Sequence, residues 1–63
     1  MEVNERLALT MLVSELLGKA MEHDTRYDWR SAEGDTVAAA IEREAAIAYK
    51  DAAQRLREVL EKL

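Results

Sequence analysis

The sequence has no cysteine and no proline, and it has only two glycines and one histidine among 63 residues. Without cysteine no disulfide can form, and one histidine alone cannot complete a structural zinc site of the usual kinds. A chain this short buries only about 60% of its unfolded surface, so its own core gives marginal stability. We therefore expect self-association to supply further burial, and we predict no cofactor.

Basic residues are also in the minority, with nine Lys and Arg against thirteen Asp and Glu, a net charge of −4. This balance argues against nonspecific binding to nucleic acid or to an anionic membrane. The apolar stretch in the first third is interrupted by Ser14, Glu15 and Gly18, and no basic segment precedes it. The sequence thus predicts neither a signal peptide nor a membrane span, and with the lack of cysteine it favours the cytoplasm.

The composition predicts an all-α protein, because Ala, Leu, Glu and Arg dominate and no strand pattern competes with them. We predict a single helical-hairpin domain with a helix over residues 2–22, a structured connection over 23–35 and a second helix over 36–62. Asp35 is the expected N-cap of the second helix; the alternative is a start at Ser31, which would place Gly34 in the first turn. The connection is longer than the 2–8 residues usual between paired helices, which indicates structure of its own.

The second predicted helix has one apolar face, which we expect to pack on the first helix. Its residues recur at steps of three or four, the period of a helix face: Ala38, Ile41, Ala45, Ala48, Ala52, Leu56, Val59 and Leu63, widened by Tyr49, Ala53 and Leu60. The alanines would allow a close approach of the neighbouring backbone.

Apolar residues cover well over half of the circumference of the first predicted helix, and one partner helix cannot cover so much. This pattern predicts that two hairpins pair as a homodimer, an antiparallel four-helix bundle. The residues expected to mediate self-association are Leu9, Leu12, Val13, Leu16, Ala45, Ala48 and Ala52.

The predicted connection contains Tyr27 and Trp29, which we expect to fold over the open end of the bundle and close its core. They could instead anchor a protein partner, because Trp, Tyr and Arg dominate binding hot spots. The candidate partner-binding residues are Arg26, Tyr27, Trp29 and Arg30 in the connection, and Arg43, Ile47 and Lys50 on the polar side of the second helix.

No spacing in the sequence indicates catalysis or metal binding. His23 is the sole histidine, and no Glu-x-x-His motif or calcium-loop pattern occurs. We therefore expect a non-enzymatic interaction or regulatory module. The alternative is an RNA-binding bundle, since the chain resembles Rop-like plasmid copy-number regulators in its size and hairpin plan, although it shares no motif with them.

Overall fold

The computed structural model describes residues 2–63 and consists of two helices in a hairpin. Helix α1 spans Val3–Ala32 and helix α2 spans Thr36–Lys62, and no strand occurs in this range. The helices lie antiparallel, because Arg6 near the start of α1 contacts Leu60 near the end of α2. The molecule measures 48 × 15 × 10 Å. The predicted all-α helical hairpin is therefore confirmed, and α2 covers the predicted range.

The predicted end of the first helix at residue 22 is wrong, because α1 continues for another ten residues to Ala32. No proline or glycine interrupts residues 23–32. Polar and aromatic residues there have lower helix propensity than alanine, but tertiary packing overrides so weak a preference. His23 and Tyr27 pack against α2 and extend the buried side of α1. The connection is consequently residues 33–35 and has no room for a separate structure.

Gly34 and Asp35 make the reversal between the helices. Gly34 has a φ of 78°, in the left-handed region where a Cβ is unfavourable. Its N–H donates to the carbonyl of Ser31, and the N–H of Asp35 donates to that of Arg30, both at 3.0 Å. These two bonds form a Schellman motif, which ends α1. The Asp35 carboxylate then accepts from the N–H of Ala38 at 3.0 Å, as expected for the N-cap of α2.

The contact between the helices is a seam of residues spaced alternately three and four apart, the spacing of a coiled coil. All of them are buried or half-buried: Leu9, Val13, Leu16, Ala20, His23 and Tyr27 in α1, and Ala39, Glu42, Ala46, Tyr49, Ala53, Leu56 and Leu60 in α2.

The expected apolar face of α2 is therefore partly wrong. The buried alanines are Ala39, Ala46 and Ala53, each one residue after an alanine that was predicted to face α1. Leu56, Tyr49, Ala53 and Leu60 do lie at the seam, whereas Ile41 and Val59 remain exposed. One residue corresponds to a rotation of about 100° about the helix axis, which moves the predicted face to one side of the hairpin.

The apolar core lies in the half of the hairpin away from the turn. Val13, Ala53 and Leu60 form its buried centre, and leucines pack around them. In the half near the turn, the buried residues are the alanines Ala20 and Ala46 together with Ala39. Neither helix between residues 2 and 63 is long and apolar enough to cross a membrane.

Candidate interaction surfaces

A polar cluster interrupts the seam in the half near the turn. Nδ1 of His23 lies 2.6 Å from Oε2 of Glu42, and both side chains are about four-fifths buried. The imidazole stacks on Tyr49, with ring centroids 5.5 Å apart and planes 14° from parallel. Beside them, Nζ of Lys50 lies 2.9 Å from Oδ2 of Asp24. The two helices are thus joined here by polar contacts that require one particular alignment of α1 against α2.

The chemistry available to this cluster is limited. A histidine that acts as a general base needs a nucleophile within hydrogen-bond reach. The hydroxyls of Thr10 and Thr25 instead donate to the backbone carbonyls of Arg6 and Met21. In the described part of the chain, no three His, Asp or Glu side chains converge in a way that could hold a metal ion. The contact that the structure shows for His23 and Glu42 is the one that joins the two helices.

The seam divides the surface into two faces. Residues one position before a seam residue lie on one side of the hairpin, which we call face A, and residues one position after lie on the other, face B. Asp24 and Lys50 follow the seam residues His23 and Tyr49, and their ion pair across the helices marks face B. In an antiparallel helix pair, the residues that precede the seam positions lie on the same side of both helices, and the residues that follow them lie on the other side. The division into face A and face B therefore holds along the whole hairpin.

Face A is apolar on α2 and mixed on α1. On α2 it comprises Ala38, Ile41, Ala45, Ala48, Ala52, Arg55 and Val59, and on α1 it comprises Ala8, Leu12, Glu15, Lys19, Glu22 and Arg26. Trp29 lies two helical turns beyond Glu22 and shares a shallow hollow with Glu22 and Arg26, so it also belongs to face A. Ile41 is 65% exposed and Val59 52% exposed. A row that is apolar except for Arg55 therefore runs along nearly all of α2. Ala38 and Ala45 are half-buried, and its other members are exposed.

Most of the predicted self-association residues lie on face A or at its edge. Leu12, Ala48 and Ala52 are exposed there, and Ala45 is half-buried. Leu9 and Leu16 are half-buried seam residues beside them. Val13 differs, because it is buried within the hairpin and packs against α2, which makes it unavailable to a second copy in this structure.

Three of the predicted partner-binding residues, Arg43, Ile47 and Lys50, lie together on face B of α2. Lys50 is held by Asp24, whereas Arg43 lines a groove between the helices near the turn. Tyr27 lines the same groove from α1 and is half-buried at the seam.

The other predicted partner-binding residues do not join that group. Nη1 of Arg30 lies 3.7 Å from Oε2 of Glu33, near the end of α1. Arg26 and Trp29 lie on face A. The expectation that Trp29 closes the core is wrong for the single chain, since 69% of its surface is exposed. The reason is that residues 23–32 are helical, which points Trp29 away from the seam.

The pairing of Glu42 with His23 is absent from the expectations drawn from the sequence. A signal was present, because Glu42 lies three residues from Ala39 and four from Ala46 and so shares their helix face. The contact joins residues 19 apart in the chain, which helix periodicity cannot pair.

Comparisons with protein-family models, with curated proteins and with solved structures give no match, so the function is inferred from these faces and contacts.

Proposed function

We propose that this protein is a small non-enzymatic interaction module that acts in the cytoplasm as a homodimeric four-helix bundle, with face A as the dimer interface. The observation that carries the proposal is the row on α2 from Ala38 to Val59, which is apolar except for Arg55 and largely exposed. Soluble monomers rarely leave a large contiguous apolar patch open to water, and such patches are typical of interfaces. A second copy would cover the row.

The small size of the hairpin core supports the same proposal. Of the six buried residues within the range 2–63, four are alanines, Ala20, Ala39, Ala46 and Ala53. An alanine side chain buries little apolar area, and hydrophobic stabilisation is roughly proportional to that area. Dimerisation through face A would bury the larger side chains of Leu12, Ile41 and Val59. Much of the stability of the folded chain would then come from the dimer.

Face B would remain open in this dimer and could bind another protein. Arg43 and Ile47 are exposed there, and Arg and large apolar side chains are common in the buried centres of interfaces. The groove that contains Arg43 and Tyr27 offers a concave surface beside them. We assign this region of face B to a protein partner.

Light scattering and thermal melts test the dimer. We expect about twice the chain mass of 7.1 kDa at micromolar concentration, and a melting temperature that rises with protein concentration. Ile41→Asp, on face A, should shift the mass toward the monomer. Val37→Asp is the matched control, since Val37 is also an exposed apolar residue near the start of α2 but lies outside both faces. A wild-type protein that stays at the monomer mass would reject the proposal.

A second candidate function is the Rop-like RNA-binding bundle, which is favoured by the row Arg43, Lys50 and Arg57 on face B. We rank it lower because Asp24 pairs with Lys50 and the net charge is −4. Fluorescence polarisation with mixed RNA and DNA at low salt separates the two functions. Salt-dependent binding that is lost in Arg43→Glu/Arg57→Glu would place RNA binding first.

A further inference from the structure

We propose that the two copies are related by a two-fold axis parallel to the helices, so that α1 of each copy lies on α2 of the other. The inference rests on the proposed homodimer and specifies its arrangement. Face A has two unequal halves: α2 presents mostly alanines, whereas α1 presents mostly long charged side chains. An arrangement that places unlike halves together can match both size and charge.

Contacts within the hairpin give the height of each residue, that is, its position along the long axis of the hairpin. Arg6 of α1 contacts Leu60 of α2, and His23 lies beside Glu42 and Tyr49. A two-fold axis along the hairpin does not change these heights. Each α1 residue on face A therefore meets, in the second copy, the same segment of α2 that lies opposite it in its own chain.

This alignment matches the side chains by size. Leu12 falls opposite Val59, and Trp29 falls opposite Ile41, so exposed apolar residues meet in pairs. The long side chains of α1 fall opposite alanines, with Lys19 over Ala52, Glu22 over Ala48 and Arg26 over Ala45. Lys and Arg can lay their aliphatic stems across such small residues while their charged groups reach the edge of the interface.

The same alignment also pairs opposite charges. Asp51 precedes Ala52 and Glu44 precedes Ala45, so these carboxylates lie where the charged groups of Lys19 and Arg26 of the second copy arrive. Within one chain, Oδ2 of Asp51 lies 2.9 Å from Nε of Arg55, and Nζ of Lys19 lies 3.8 Å from Oε2 of Glu22. Both pairs are exposed, so in the dimer these groups would share their partners with the second copy. Farther from the turn, Glu15 falls opposite Arg55. Complementary charges along an interface set its register and exclude wrong pairings.

The competing arrangement places α2 on α2 and α1 on α1, with the axis perpendicular to the helices and the two Ala48 residues at its centre. Glu44 of one copy then lies near Asp51 of the other, and Lys19 lies near Arg26. Like charges brought close together in this way oppose association. The order of charges along face A therefore favours the first arrangement.

Charge reversal tests the arrangement by sedimentation equilibrium. Lys19→Glu/Arg26→Glu places acidic groups against Asp51 and Glu44, and Glu44→Lys/Asp51→Lys places basic groups against Lys19 and Arg26. Each pair of substitutions should weaken the dimer at least about tenfold, because four contacts per dimer change sign. All four substitutions in one chain should restore the affinity to within about threefold of wild type, since every contact is attractive again.

The outcomes are distinct. If wild type is a dimer and none of the three variants changes its affinity, the arrangement is wrong but the homodimer stands. If wild type is a monomer, the proposed function itself fails. Because the chain has no cysteine, disulfide trapping gives a check that does not depend on the charge variants. A mixture of Glu22→Cys and Ala48→Cys chains should form the mixed disulfide, whereas a faster homodisulfide of Ala48→Cys alone would overturn the proposal.

Discussion

His23 and Glu42 meet across the two helices with their Nδ1 and Oε2 atoms 2.6 Å apart, in a seam that is otherwise mostly apolar. A polar pair at a seam position stabilises only the alignment in which both partners meet, and it disfavours alignments that leave either one buried alone. We therefore expect the pair to specify how α1 lies against α2. The alanines beside it, Ala20 and Ala46, fit many alignments and could not do so.

Removing the carboxylate tests this role. We expect Glu42→Ala to lower the free energy of unfolding by about 1 to 2 kcal/mol, because His23 loses its partner while it remains largely buried. Glu42→Gln should lose less, since an amide can still hydrogen-bond to the ring. Urea unfolding at one fixed protein concentration measures both values. Equal stability of Glu42→Ala and wild type would contradict the role.

The two alanine rows of α2 should respond differently to a larger side chain. Ala46 is 1% exposed at the seam, so Ala46→Leu should overpack it and destabilise the hairpin by roughly 1 to 3 kcal/mol. Ala48 is exposed on face A, and Ala48→Leu should leave the monomer fold intact. Circular dichroism melts at low concentration compare the two variants. Equal destabilisation would mean that both rows are buried in the same chain.

The two glycines should give opposite results when replaced by alanine. Gly34→Ala should cost about 1 kcal/mol or more, because Gly34 has a positive φ that disfavours a Cβ. Gly18 lies inside α1, and a Cβ there would meet no atom within 4 Å. Gly18→Ala should therefore stabilise the hairpin by about 0.5 to 1 kcal/mol through helix propensity. Thermal melts measure both signs, and a stabilising Gly34→Ala would contradict the turn geometry.

Trp29 should report on the assembly. At low concentration its fluorescence should resemble that of tryptophan in water, because most of its surface is exposed. The emission should shift to the blue as the concentration rises, if face A meets a second copy. Trp29→Ala should change the stability of the monomer by about 0.5 kcal/mol or less but should weaken the dimer. Blue emission at all concentrations in a monomer would show that the ring is buried within one chain.

The sequence alone determined the elements of this fold whose causes are local. Helix-forming composition and the absence of proline predict two long helices. Asp35 predicts the start of α2, because its carboxylate can accept a hydrogen bond from the backbone N–H of Ala38. The apolar surface of the first helix is so wide that the sequence predicts burial of more of it than one partner helix can cover. These inferences depend on residues within one or two helical turns of each other.

Only the tertiary structure decided which side of each helix faces the other and where α1 ends. Two alanine rows lie one residue apart on α2, Ala38, Ala45 and Ala52 beside Ala39, Ala46 and Ala53, and hydrophobicity cannot choose between them. The choice depends on contacts across the hairpin, His23 with Glu42 and Asp24 with Lys50. The packing of His23 and Tyr27 against α2 favours the helical conformation of residues 23–32. These contacts join residues distant in the chain, so a sequence pattern that registers only local propensity cannot identify them.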